Sequence, residues 1–540
     1  MSYWLRIESD PPVALYRERA ALEHVTCDVR HAALISLGTL SRPLSRPNFS
    51  AAQTASLEVR ADNADGALTA EFGTAPPIRA AVSVYDDAAL VFTGVVTAME
   101  MGPIVTLSLE SGLRQPLSDP LPLRSSSVWG EYAEPVALPH GYGRITVAPV
   151  QYSQDRRRWM LLDHPIQGVD AVTRDDVATS AWAWSNTLDA AGHALAILDL
   201  AEPLADGERL AVTLRGKMHA TSGRLLTRPD EIIWDVLANV CGMPIALSDL
   251  DGFRVETEQI ELAGVLDDAT RTARAQIDII LASVGAAWSG AMPGLAIAWP
   301  PAGLTSDPDA TVGALDAVGL VARAERDDMA TVLRVLHDYD WAAQKHRQAL
   351  QIEAPEAIER YGRIEREIDA GWLHSARLAN QLAERLLGWM ARPVWTISWG
   401  GDIAAPLNPG DWVALSHPSS PVSGAHRLIR SDLDMDRGRV AMAIQSPVGP
   451  APTLSAARLS AAFSPYIQAG AAVIYQDGLA TFTVLDDLGH PLAGATVTLD
   501  GGARRITDGA GRAQFKAARG AHVLLVEAEG YNGMRIEVAL

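Results

Sequence analysis

The residues that could do chemistry are present but dispersed along the chain. Thirteen histidines are spread over 540 residues, and none stands four positions from another on a predicted helix, the spacing that would aim two imidazoles at one metal ion. His164, His337, His374 and His417 are accordingly read as surface groups or hydrogen-bonded core groups. The acidic pairs Asp267-Asp268 and Asp327-Asp328 would serve glycoside hydrolysis only with a second carboxylate about 5–10 Å away across a cleft. Neighbours on a turn do not achieve that, so both read as solvated turns. Glu365, Glu367 and Asp369 precede a long predicted helix and suit the positive end of its dipole, with a metal site as the alternative. Serine-hydrolase, zinc-protease, phosphate-loop and dinucleotide fingerprints find no credible context. Cys27 and Cys241 form neither a CxxC pair nor a Cys/His cluster. No catalytic, metal-ligating or cofactor-binding residue is predicted, and no cofactor is called for.

The compact basic run is Arg156-Arg157-Arg158, with Trp159 adjoining. One reading is an exposed loop between strands. The other is a dock for an acidic neighbour, since arginine pairs bidentately with carboxylates. These four are the candidate partner-docking residues.

The elements that must position these groups belong to more than one core. Single cores stop growing near ~250–300 residues, so about four domains are expected. A hydrophobic share of 48% with 20% charged residues is that of a globular chain, too apolar for a disordered one. The formal net charge of −20 argues against ordinary nucleic-acid binding. It fits plain solubility, and also a passage whose negative walls keep DNA from sticking. No run approaches the ~18 apolar residues of a membrane helix, so no stable membrane insertion is expected. The opening MSYWLRIESD carries charges and no apolar stretch, so no leader peptide is predicted. Fourteen tryptophans against seven phenylalanines suit a core or a permanent interface equally.

Period-two alternation dominates the first half. Ala80, Val82 and Val84, then Leu90 and Phe92, then Val105, Leu107 and Leu109 predict a small antiparallel sheet or barrel over about 50–115. A proline-rich connector containing Pro116, Pro120, Pro122, Pro135 and Pro139 follows. Short strands return over about 138–216. In TRPDEIIWDVLANVCG, Thr227 and Asp230 resemble a capping pair, Pro229 suits the first turn, and Gly242 a left-handed stop. A second helix is predicted over about 273–284, with Phe253-Arg254-Val255 as a strand between the two. HSARLANQLAERLLGWMAR reads as a long amphipathic helix ended by Pro393. The turn Asn408-Pro409-Gly410-Asp411 and three further strands complete a β unit. Pro447 to Pro465 reads as a linker. Strands with turns at Asp486-Asp487, Leu488-Gly489-His490-Pro491 and Asp508-Gly509-Ala510-Gly511 then suggest a small β-sandwich.

Taken in order, four stretches resemble the gp27-like hub proteins of long-tailed phages: SLEVRADNADGALTAEFG with IRAAVSVYDDAALVFTGVVTAME, PHGYGRITVAPVQY with WMLLDHPIQGVDAV, RPDEIIWDVLANVCG with QIDIILASVGAAW, and the long helix with RPVWTISWGGDIAAPLNPGDWVALSHP. The C-terminal FTVLDDLGHPLAGATVTLDGGARRITDGAGRAQF, with a late Glu529-Gly530-Tyr531, resembles a carboxypeptidase-regulatory or transthyretin-like sandwich. The resemblance implies a multidomain, mainly β (α+β) chain. Its parts would be an N-terminal segment and first hub barrel (1–120), an inserted β domain (121–217), an α+β domain (218–315), a second hub β domain with the long helix (316–450), a linker (451–469) and a sandwich (470–540). It implies a non-enzymatic structural subunit of a tail tip (baseplate), made in the bacterial host cytoplasm and carried in the virion. Its expected partners are itself, as a homotrimer, then distal tail or tube proteins, a tape-measure protein and tip or fibre proteins, with DNA only in transit. Two alternatives stand beside it: a host-surface adhesin acting through the sandwich, and a tail-associated cell-wall hydrolase.

Overall fold

A computed structural model of the chain describes residues 3–17, 27, 29–44, 53–111, 117–124, 136–188, 192–243, 245–290, 296–298, 308–326, 329–402, 407–455, 458–460, 467–468, 474–476, 479–486, 491–500, 502–517, 521–527 and 534–539. Asp327-Asp328, Pro116, Pro135, the turn at 487–490 and the motif at 529–531 lie outside the described residues. The architecture is mostly β and multidomain, as expected.

The alternation read from sequence produces one long sheet. From the N-terminal part come β1 (Thr39–Pro43), β2 (Ser56–Asp62), β3 (Ala89–Glu100) and β4 (Ile104–Ser111). In register, Leu57 faces Leu109, Val59 faces Leu107 and Ala61 faces Val105. All six are buried and pack with Leu5, Leu15, Val84 and Phe92 in one core. The chain returns to the same sheet more than 200 residues later with β5 (Val318–Glu325). Ahead of its remaining strands lie β6 (Val332–Asp340) and its parallel neighbour Glu365–Ala370. Then come β7 (Val394–Asp402), β8 (Gly424–Asp434) and β9 (Arg439–Pro447), which cover a second core of Ile397, Trp399, Val413, Leu428, Met442 and Ile444. The two units join edge to edge where β1 pairs antiparallel with β8. The resulting order is β5-β7-β9-β8-β1-β2-β4-β3, continued by Ala81–Asp86, Tyr3–Ile7, Val13–Tyr16 and Val29–His31.

The joint is specified by polar groups. Ser41 Oγ donates to Asp432 at 2.7 Å, and the buried Arg42 donates to Asn408 and Ser431 at 2.9 and 3.2 Å. Asp436 accepts from the backbone of Leu37 and Gly38, both at 3.3 Å. The Asn408–Asp411 turn closes as predicted, with Asp411 N–H on Asn408 O at 3.0 Å and Gly410 at φ 103°.

Between the units lies a third, larger core. Two four-stranded sheets built from 144–217 contribute to it. So do the helices α1 (Pro229–Trp234), α2 (Asp251–Thr257), α3 (Ala273–Ala282) and α4 (Ala376–Met390). Leu378, Leu382, Leu386 and Met390 are buried along α4, as their four-residue spacing predicts,. Gly242 and Gly285 take φ of +67° and +68° and end their helices.

Three local expectations are corrected. Phe253-Arg254-Val255 is helical: Phe253 and Thr257, one turn apart, are buried while Val255 is exposed, so period four outweighs β propensity,. Thr227 and Asp230 do not cap α1. Arg228 is the N-cap residue, and Asp230 accepts from its guanidinium at 2.7 Å. Glu365, Glu367 and Asp369 lie on the strand Glu365–Ala370, before the helix dipole begins.

In the stretch read as a linker, Arg458–Ser460 pairs with Lys345–Glu353, and Ser455 exchanges hydrogen bonds with Glu353 at 2.8 and 2.9 Å. The described C-terminal strands form a two-stranded, a three-stranded and a four-stranded sheet, with Ala480, Phe482, Val497, Leu499, Phe515 and Val526 in a core of their own.

Candidate functional site

The arginine run sits in the turn entering the strand Arg158–Leu162. Arg156 has φ 56° and ion-pairs with Asp206. Arg158 pairs with Asp199 at 2.7 Å, which keeps its guanidinium charged beyond its ordinary range. Trp159 is buried and donates its indole N–H to Arg156 O at 3.0 Å, so its ring anchors the turn from inside. Arg157 is exposed, and among the described residues its guanidinium makes no hydrogen bond or ion pair. Of the four candidates, Arg156, Arg158 and Trp159 are engaged within the chain.

A second group was not found by sequence reasoning. His140, Tyr142, Asp163, His164, Lys217 and Asp235 converge where the strands of 140–217 meet the helix of Asp235. Asp235 Oδ2 accepts from Tyr142 at 2.7 Å and from Lys217 at 2.6 Å, and Oδ1 accepts from Asn239 at 2.8 Å. Burial would raise its carboxyl, but His140, Lys217 and Tyr142 hold it well below the usual carboxylate range,. His140 Nδ1 lies 2.7 Å from Asp163, and its Nε2 lies 3.2 Å from Lys217 Nζ. Burial would lower that imidazole, but Asp163 and Asp235 outweigh it and raise it. His164 accepts the Gly141 N–H on Nε2 at 3.1 Å and donates from Nδ1 to Pro165 O at 2.9 Å. Burial, with His140 alongside, pushes it down to about 3.

By type and reach, His140, Asp163 and His164 resemble metal ligands, their donor atoms lying within 4.8 Å of one another. The surroundings do not suit an ion. Lys217 and Arg124 already bring positive charge against the two carboxylates, and the His164 lone pair is engaged by a backbone N–H. The group is a packing node that ties three segments together.

His374 and His346 are tied down in the same manner. His374 Nδ1 lies 2.6 Å from Asp338 and Nε2 3.1 Å from Ala263 O. Asp338 takes a left-handed φ of 54° within β6. His346 Nε2 lies 2.9 Å from Asp369. Among the described residues, no serine, threonine or cysteine hydroxyl or thiol bonds the rings of His140, His346 or His374, so these pairs lack the nucleophile that acyl transfer needs. His337 is fully buried with neither ring nitrogen in hydrogen-bond geometry, and burial pushes it down to about 4. His417 accepts a neighbouring backbone N–H at 3.1 Å in a surface turn. A cleft of about 530 Å³ opens beside His374, between Arg144, Thr227, Glu258, Glu261 and Arg377. The imidazole on its wall is committed on both nitrogens.

The third feature is a surface. The eight strands from β5 to β3 have both cores behind them. Their other face carries mainly small, polar or charged groups in continuous rows, with Ile104, Val318 and Val321 exposed among them. One row runs Gly400, Ala441, Asp432, Ser41, Ser56 and Glu110. Another runs Glu58, Ser108 and Ala98. No large ring interrupts these rows, and the face passes from one β unit to the other without a break.

No family model matches the chain, and no curated protein matches it. Among solved structures, it is similar to a tail protein from Neisseria meningitidis MC58 at 10% identity and TM-score 0.37, covering 76% of this chain and 97% of that one. It is also similar to prophage tail protein gp18 from Listeria monocytogenes EGD-e at 8% identity and TM-score 0.40, covering 83% and 96%. A third likeness is to the 43 kDa tail protein of prophage MuSo2 from Shewanella oneidensis, at 8% identity and TM-score 0.37, covering 76% and 95%. At these scores the alignments follow a similar course of chain without establishing a common fold.

Proposed function

We propose that the chain is a structural hub of a phage-type tail tip, joining copies of itself and neighbouring tail proteins around a passage for DNA and catalysing no reaction. The observation that carries this reading is the continuous sheet. Two β units far apart in sequence lie side by side within one copy, joined through β1 and β8, as the gp27-like resemblance implies. Three copies would then present six similar units to a tail. The uninterrupted face suits the passage wall: Glu58, Asp62, Glu100, Glu110, Asp432 and Asp434 outnumber Arg60, Arg323, Arg430 and Arg439, so DNA is repelled rather than held,. Tube, tape-measure and fibre proteins are the partners this position entails. The test is removal of the gene from a producing strain. Particles without tails, or with tails lacking a tip, support the hub. Complete and infective tails contradict it.

A second reading, an adhesive role for the C-terminal sandwich, is favoured by that unit's separate core. Deleting 470–540 tests it: particles that assemble but do not adsorb support adhesion, and loss of assembly points to scaffolding.

A further inference from the structure

Arginine is the ordinary cation of this chain. Of its 45 basic residues three are lysines, Lys217, Lys345 and Lys516, and Arg144, Arg158, Arg215 and Arg347 each take an acidic partner. Yet it is a lysine that meets the buried Asp235, with Lys217 Nζ 2.6 Å from Oδ2. An arginine could hold that charge with more donors. What an amine adds is that it can lose a proton and become a nucleophile, which a guanidinium cannot.

The groups around this pair are those that joining an amine to a carboxyl requires. Lys217 ends the strand Leu210–Lys217. Asp235 opens the turn Asp235–Val240, wound as a π-helix, with the Cys241 N–H on Val236 O at 2.9 Å. Such turns are rare and collect at functional sites. His140 Nε2 stands 3.2 Å from Lys217 Nζ and 3.6 Å from Asp235 Oδ2. One ring atom thus reaches both the nitrogen that must lose protons and the oxygen that must gain them. Asp163, 2.7 Å from Nδ1, favours a proton on that nitrogen and leaves the Nε2 lone pair toward Lys217,. Tyr142 donates to Oδ2 at 2.7 Å and Asn239 to Oδ1 at 2.8 Å, drawing electrons from the carbon between them,.

We infer that Lys217 and Asp235 condense to an amide within the folded chain. His140 takes one proton from the Lys217 ammonium, and the free amine attacks Asp235 Cγ. The Nζ–Cγ bond forms and the Cγ–Oδ2 bond breaks. Oδ2 leaves as water with two of the protons that Lys217 brought, one of them delivered by His140. An ammonium and a carboxylate contain every atom of the amide and one water, so no co-reactant is needed and no charge remains. Two effects favour the bond. Fixed contact supplies an effective concentration that reaches about 10⁵–10⁸ M for well-oriented groups, and the amide removes two charges whose burial is costly. Asp235 is ionised in the resting pair, so delivery of the proton to Oδ2 sets the pace. The event occurs once per chain and turns over no substrate, and it does not depend on the hub reading. Its product is a covalent tie between the strand of Lys217 and the helix of Asp235.

The test is the intact mass of the full chain, purified folded and then denatured. The parent should be lighter by one water than its sequence requires, with or without Met1. Its tryptic digest should yield a branched peptide in which Lys217 is uncut and joined to Asp235. K217R keeps a cation beside Asp235 and should show its full mass, with circular dichroism confirming that it folds. H140Q should lose the water at least about tenfold more slowly than the parent after refolding. A parent chain of full sequence mass overturns the inference whatever the variants do. A missing water that persists in K217R belongs to a dehydrated side chain elsewhere and also overturns it. Loss of water from H140Q at the parent rate overturns the role of His140.

Discussion

His337 gives a prediction whose size follows from its surroundings. The ring is fully buried in β6, with Asp338, His346 and His374 as the nearest titratable groups, and burial pushes it down to about 4. In the unfolded chain the same ring titrates near 6.5. A base whose folded value is depressed contributes stability fully above the unfolded value. That stability is lost as pH falls, because the unfolded state takes the proton first. Between pH 7 and pH 5 the loss through His337 is about 2 kcal/mol. His164, pushed down to about 3, adds a loss of similar size, whereas the raised His140 works in the opposite direction. His337→Leu removes one contribution. Whatever cavity cost it brings is the same at every pH, so the difference between pH 7 and pH 5 should shrink by about 2 kcal/mol relative to the parent. Urea unfolding followed by tryptophan fluorescence measures this, since Trp341 and Trp372 lie in the same core. An unchanged difference would mean that the ring is protonated or solvated in the folded chain, and the account of this core would be wrong.

Asp235→Asn removes the buried carboxylate shared by Tyr142 and Lys217 and leaves the half-buried Lys217 ammonium without its partner. A loss of about 3–5 kcal/mol in urea unfolding is expected, and parent-like stability would refute the packing-node reading. In Gly264→Ala the new Cβ would stand 2.2 Å from the Trp372 ring, so a loss of about 1–3 kcal/mol is expected in thermal melts. Gly252→Ala, with nothing within 4 Å of its Cβ and a helical position, should be neutral or stabilising. If the arginine turn docks an acidic neighbour, Arg157→Ser alone should reduce tail assembly as much as serine at 156, 157 and 158 together. Normal tails from the triple variant would remove the docking role.

What could be read from sequence depended on whether the signal was local. Val105, Leu107 and Leu109 alternate within one strand, and Leu378, Leu382 and Leu386 recur within one helix, so their burial needed no partner to be seen. The β1–β8 joint was invisible because it sets Leu40 against Leu433 and Ser41 against Asp432, pairs nearly 400 positions apart with no shared motif. The His140 node stayed hidden for the same reason. Its one local trace was Asp235 beside the apolar residues of its helix, where a buried carboxylate demands partners. The strand expected at Phe253 failed because three residues cannot separate period two from period four. Arg156, Arg158 and Trp159 looked like a patch, but Asp199 and Asp206, which occupy the two arginines, arrive from a distant segment.

The most direct measurement is electron cryomicroscopy of tailed particles from a strain carrying this gene. The account predicts density for the chain at the end of the tail tube, in a closed ring of copies, with the rows of Ser41, Ser56, Glu58 and Asp432 facing the axis. Particles lacking the chain, or holding it as isolated subunits with that face turned away from the axis, would contradict it.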